Sequence, residues 1–311
     1  MVIANPIYDV VFKRMMENER VAKFFIGTLL DQTIESVEVK PQEFTFTDEL
    51  VGLAIFRLDF IATIKTESGA YKKVLIEIQK AKNQLDLMRF RNYLAEQYKR
   101  EDRINNNSHV LPITTIYIIC FKLPEILSSC LKVERNYVDL INKVVIEAKS
   151  EFIEKLTHDC YVVQVDRITG RYQTRLDKLL SVFEQTNFVD DKKIIKEFNH
   201  QADIEELKIM TDILHHSGTN PAEKKKIETE QEAWRTVRAM FENERNQLLI
   251  ALSAKERALS EMDQALSEKE QALSEKDQAL SEKDQALSEK DQALSEKDKL
   301  IAELLKKLDK Q

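Results

Sequence analysis

The chain of 311 residues, 43% hydrophobic and 32% charged, carries enough apolar material for one large core or two smaller ones, which excludes a globally disordered protein. Its net charge of -7 divides into about -4 for residues 221–311 and about -3 for residues 1–220, so neither part binds nucleic acid by bulk positive charge and any such contact needs a local basic patch. Cys120, Cys130 and Cys160, the three cysteines, form no C-x-x-C pair, which argues against a zinc site or a disulfide framework and fits a reducing cytoplasm.

The opening MVIANPIYDVVFKRMM has neither the basic region nor the apolar stretch of a secretory leader. No apolar run reaches the ~18 residues of a membrane span, so the expected setting is cytoplasmic, with no membrane partner. Residues 8–31 read as one or two helices, with Phe12, Met15, Met16, Phe24, Phe25, Leu29 and Leu30 as the apolar positions. FRLDFIATI and KVLIEIQ then read as strands, joined by the turn KTESGAYKK around Gly69 into a hairpin. Residues 84–101, rich in Leu, Arg, Gln and Glu without Gly or Pro, read as a helix. ITTIYIICF, after Pro112, is a β-branched run suited to a buried strand. This order predicts an α/β sheet with a helical crossover. CYVVQVDRI is a further candidate strand, and residues 171–216 read as helical.

The composition changes at HHSGTNPAEKKK, where Gly218 and Pro221 punctuate the chain. We therefore divide it into a globular part, residues 1–217, and a helical tail, residues 218–311. From Ala251 to Lys299 the heptad ALSEKDQ recurs seven times with small changes. Leucine fills one core position per heptad, from Leu252 to Leu294, while the second is usually Lys or Asp. A strong zipper needs both positions apolar. The tail is thus either a weak coiled coil, which would make the protein a homo-oligomer through residues 251–308, or a solvated single helix or disordered tail.

The chemistry concentrates on the hairpin. Asp59 interrupts one strand, and on the next Glu77 and Gln79 are two apart and share a face. Two carboxylates brought together need a positive neighbour, since like charges resist joint desolvation. A hard cation such as Mg²⁺ or Mn²⁺ is one solution; a salt bridge to Arg57, Lys73 or Arg91 is the other. Adjacent His215 and His216 diverge on a helix, and His109, His158 and His200 are isolated, so histidine metal sites are not indicated. Five glycines, none clustered, exclude a P-loop or a dinucleotide fingerprint.

Asp59, the IEIQ of Ile76–Gln79 and the following RFRNYLAEQY resemble the PD-(D/E)XK nuclease superfamily, in which an Asp and an acidic-x-Lys motif on a hairpin hold Mg²⁺. The resemblance is strongest to its transposase branch, the recombination-promoting nucleases, through D-x-x-F-K at Asp9, Phe12 and Lys13, R-x-Y at Arg91 and Tyr93, and PITTI from Pro112. It covers roughly residues 1–215. It implies a restriction-endonuclease-like α/β core with a long helical or coiled-coil extension, and a Mg²⁺- or Mn²⁺-dependent DNA endonuclease. Asp59 and Glu77 would be metal ligands with the Ile78 carbonyl as a third, and Gln79 would complete the catalytic set in the place usually held by Lys. Lys13, Lys80, Lys82, Arg89 and Arg91 are the candidates for DNA phosphate contact. An amide orients water but supplies no positive charge, and Lys80 points to the opposite face of a regular strand. The resemblance therefore also admits a weak or inactive DNA-binding or interaction protein that self-associates through its tail.

Overall fold

The computed structural model describes residues 1–40, 60–80 and 84–308, and they fall into two compact units, Met1–Arg238 and Ala239–Gln311. In chain order the first unit contains β1 (Val2–Ala4), α1 (Asp9–Met16), α2 (Glu19–Leu30), β2 (Ile34–Val39), β3 (Phe60–Thr66), β4 (Tyr71–Gln79) and α3 (Gln84–Lys99). Then come β5 (Asp102–Ile104), β6 (Asn107–His109), β7 (Ile113–Ile119), β8 (Cys130–Val133), β9 (Tyr137–Val138), β10 (Val145–Ile146), α4 (Glu151–Leu156) and β11 (His158–Gln164). α5 (Arg175–Ser181), β12 (Ile195–Glu197), α6 (Glu205–Thr219) and the opening of α7 (Pro221–Leu308) complete it. No helix among the described residues is long and apolar enough to cross a membrane.

A six-stranded mixed sheet in the order β2-β3-β4-β7-β11-β8 forms the centre. β2, β3 and β4 run antiparallel, β4, β7 and β11 run parallel, and β8 closes the edge antiparallel to β11. The β3–β4 hairpin turns at Gly69, whose φ of 82° suits a residue without a Cβ. α3 supplies the long connection that parallel neighbours such as β4 and β7 require.

Side chains alternate across the sheet, so each parity of β4 meets a different layer. Val74, Ile76 and Ile78 join Phe12, Phe25, Phe60 and Phe183 in the main core. There Phe12 stands edge-on to Phe25 at 5.6 Å and to Phe60 at 6.5 Å. Leu75 belongs to a smaller cluster on the other face, with Ile61, Ile113 and the α3 residues Phe90 and Tyr93.

Residues 8–31 form two helices because Asn18 leaves the helical conformation and its side chain caps α2 at the Val21 N–H. The helical reading of residues 171–216 is corrected by β12, which pairs with β1 from Val2↔Glu197 to Ala4↔Ile195. Asp190 prepares that strand by accepting from the Ile194 and Ile195 N–H groups. A partner nearly two hundred residues away leaves no trace in local periodicity.

Gly218 likewise marks no turn. α6 runs through it to Thr219, and the chain breaks at Asn220, whose side chain caps α7 by accepting from Ala222 and Glu223. Ile227 on α7 is 1% exposed in the main core, and the opening of α7 belongs to the first unit. In the second unit α7 continues alone, and its heptad leucines are all exposed, from 54% at Leu252 to 65% at Leu273.

A Cβ on Gly218 would lie 2.9 Å from the backbone nitrogen of Ala4. Helix propensity favours Gly218→Ala by about 1 kcal/mol, whereas overpacking against backbone costs about 1–3 kcal/mol. Urea unfolding is expected to show net destabilisation. Lys196 on β12 is 2% exposed, donates to the carbonyls of Glu184 (2.6 Å) and Ser181 (3.4 Å), and burial pushes its ammonium pKa down from 10.5 to about 8. Between these values the unfolded chain binds more protons than the folded one, so this group adds stability as pH rises through that window. Relative to Lys196→Met, wild type should gain stability from pH 7 to pH 10, approaching about 3 kcal/mol, measured by denaturant unfolding at each pH.

Candidate functional site

β4 places the sequence-derived residues with little freedom. It is flanked by β3 and β7 and buried on both faces, so its register fixes where each side chain projects. Glu77 and Gln79 share the parity of Leu75 and face the α3 side, 1% and 8% exposed respectively. Glu77 lies opposite Tyr117 in the parallel ladder, and the Tyr117 ring packs 4.2 Å from that of Phe90. The Ile78 side chain goes to the main core, while its backbone lies in the ladder opposite Ile118. Gln79 is the last strand residue, and its carbonyl accepts from the Cys120 N–H at 2.9 Å.

The other end of the same strand carries a separate ionic cluster. Lys73, 2% exposed, meets Asp102 at 2.8 Å and the Gln97 carbonyl at 3.3 Å, and Lys40 reaches the second Asp102 oxygen at 2.7 Å. Burial lowers the Lys73 pKa, and Asp102 opposes that shift. Lys73 is thereby committed to Asp102 as its ion-pair partner.

Asp59 lies outside the described residues; its neighbour in sequence, Phe60, pairs with Ile76 on β4. Arg57, Lys82 and the side chain of Arg89 also lie outside them. Arg91 is exposed on α3. Lys13 forms the i,i+4 ion pair with Asp9 that its spacing allows, at 3.1 Å.

Lys80 follows the parity of Ile78 and leaves Glu77 and Gln79 on the opposite face. Its ammonium lies 2.5 Å from Glu230 and 4.8 and 5.0 Å from the ring centres of Tyr8 and Trp234. Glu230 also accepts from the N–H groups of Asp9 and Val10 at the start of α1. No spacing rule links Lys80 to Glu230, 150 residues apart. The one available hint was the single tryptophan, placed just past the presumed boundary.

Other polar residues have structural partners. Tyr98 bonds the His158 Nδ1 at 3.0 Å, His200 stacks on Tyr172 at 4.3 Å, and His215 Nδ1 lies 2.6 Å from the Val2 carbonyl. Tyr93 is 5% exposed in the α3 cluster. Clefts of about 380 Å³, at Lys192, Lys225 and Glu228, and about 240 Å³, at Lys122, Asp166 and Gln185, are not lined by Glu77 or Gln79.

No family model, curated protein or solved structure matches the chain. The site must therefore be judged on its own donors. Among the described residues no three of His, Cys, Asp and Glu converge as a cation site. What the described strand offers is one buried carboxylate, one amide oxygen and backbone carbonyls. These are hard oxygen donors of the type Mg²⁺ and Mn²⁺ accept, and such ions take only one or two carboxylates with retained water.

Proposed function

We propose that the protein is a divalent-cation-dependent DNA endonuclease with a restriction-endonuclease-like core, in which Asp59, Glu77 and the Ile78 carbonyl hold Mg²⁺ or Mn²⁺ and Gln79 assists. The observation that carries this reading is Glu77, a carboxylate withdrawn almost wholly from water near the carboxyl end of the central parallel strand. Open α/β sheets bind their ligands beyond that end of the strands. Burying an acid is costly unless a countercharge or hydrogen-bond donors meet it, and a cation is one such countercharge. Further support comes from the order of elements, a hairpin followed by a crossover helix and a parallel strand, with the E-x-Q motif on the hairpin's second arm.

A bound divalent cation supplies charge neutralisation and acidifies water. The chain's own residues do the rest. β4, locked between two strands, gives Glu77 a fixed position. Gln79 can donate its amide N–H to a phosphate oxygen or accept from the attacking water, orienting either without adding charge. Arg91, exposed on α3, and Lys13 provide cations for the DNA backbone, with Lys82 and Arg89 as further candidates. Because the net charge is -7, such binding is local and falls with added salt. Lys80, turned to the other face and held by Glu230, is the least suited of the candidates to touch DNA.

Supercoiled DNA incubated with the protein and Mg²⁺ or Mn²⁺ should be cut. Asp59→Asn and Glu77→Gln should each reduce the rate by at least about a hundredfold, since a metal ligand contributes several kcal/mol to the transition state. Undiminished cutting by both variants would defeat the assignment.

A second reading, an inactive DNA-binding or interaction protein that self-associates through residues 251–308, is favoured by the row of exposed heptad leucines. It gains if wild type cuts nothing. Replacing Leu273 and Leu280 with Lys should then lower the oligomeric state in sedimentation; an unchanged state would show that the heptads are not the assembly element.

A further inference from the structure

The contact around Lys80 joins three elements through one carboxylate. Glu230 Oε1 receives the Lys80 ammonium and the Asp9 N–H, and Oε2 receives the Val10 N–H. An anion at that place also complements the partial positive charge of the α1 N-terminus. Tyr8 and Trp234 offer their rings to the same ammonium at distances where cation–π attraction operates. Lys80 and Glu230 are only 13% and 14% exposed, so solvent screens the pair weakly.

On α7, Ile227, Glu230 and Trp234 are spaced i, i+3 and i+7 and therefore form one helical stripe. Ile227 is buried in the main core and anchors that stripe. β4 ends at Gln79, where the ladder to β7 closes through the Cys120 N–H. The very next residue passes the hold from the sheet to the helix.

We propose that Glu230 and Trp234 are positioning residues for the Glu77–Gln79 end of β4, acting through Lys80. On this view the opening turns of α7 complete the candidate site from the face of the strand that Lys80 occupies. The chemical importance of that strand end rests on the nuclease reading above; the hold itself does not.

The full chain carrying Lys80→Met, Glu230→Gln or Lys80→Arg tests it. Hydrogen exchange over residues 74–80 should quicken about tenfold when the charge pair is removed by Met or Gln, and stay within about twofold of wild type with Arg, which keeps the charge and stacks on rings. Trp234 is the sole tryptophan, so its fluorescence reports the contact directly and should shift in Lys80→Met but return toward wild type in Lys80→Arg. Trp234→Phe, which keeps a ring face, is the milder variant should a charge-removing one fail to fold, and it should quicken exchange to a smaller degree. Mn²⁺ affinity, read by electron spin resonance with Glu77→Gln as control, should fall about tenfold in Lys80→Met and recover in Lys80→Arg. Unchanged exchange in both charge-removing variants overturns the proposal. So does equal quickening in Lys80→Arg, or quickened exchange with undisturbed Mn²⁺ affinity. If wild type takes up no Mn²⁺, the metal reading fails by itself, while exchange and fluorescence still decide whether the hold exists.

Discussion

Burial of β4 on both faces is the constraint from which the rest of the first unit follows. A strand with a neighbour on each side and a layer over each face offers its residues two environments, chosen by parity alone. Val74, Ile76 and Ile78 fall into the phenylalanine-rich core, and Lys73, Leu75, Glu77 and Gln79 fall under α3. A one-residue slip would carry two charged groups and an amide into the main core and turn three aliphatic side chains away from it. The ladders to β3 and β7 and the ionic cluster at Lys73 both oppose such a slip. The position of Glu77 is thus decided by the whole sheet.

Among the described residues of the first unit, Lys73, Lys196 and Lys80 are withdrawn from water and each meets different partners. Lys73 has a carboxylate, Asp102, itself shared with Lys40. Lys196 has main-chain carbonyls at and just beyond the end of α5, and burial takes its pKa down to about 8. Lys80 has a carboxylate and two aromatic faces. The contrast shows how local chemistry sets the cost of burying the same side chain, with a full countercharge offsetting more of the desolvation than carbonyl dipoles do. It also bears on reading basic residues as nucleic-acid contacts, because a lysine next to a motif can be committed inward.

Much of the centre was legible from the chain. β7 announced itself as an apolar β-branched run and β4 as one interrupted by Glu77 and Gln79, the Gly69 turn joined β3 to β4, and the long polar-apolar stretch between β4 and β7 was a helix, because these signals are local. Strand alternation also placed Lys80 opposite Gln79. What lay hidden was every feature that depends on distant partners. β12 is a strand because β1 lies beside it, Gly218 is glycine because that same β1 backbone passes close to α6, and Lys80 has its fate settled by residues 230 and 234. The acidic pair was legible only as a pattern of types: Glu77 stands where alternation put it, and Asp59 lies outside the described residues.

The pairing of β1 with β12 has a bearing on how the protein is made. The amino-terminal nitrogen of Met1 donates to the Phe198 carbonyl, β1 lines up with residues 195–197, and the start of α1 is completed by Glu230. β1 therefore lacks its strand partner until residues 195–197 have been made. Closing so long a loop is an entropic burden met late, which places this unit among slow-folding topologies. Until then the edges of β1 are unpaired as the nascent chain lengthens, the interval in which such segments invite chaperones or wrong partners.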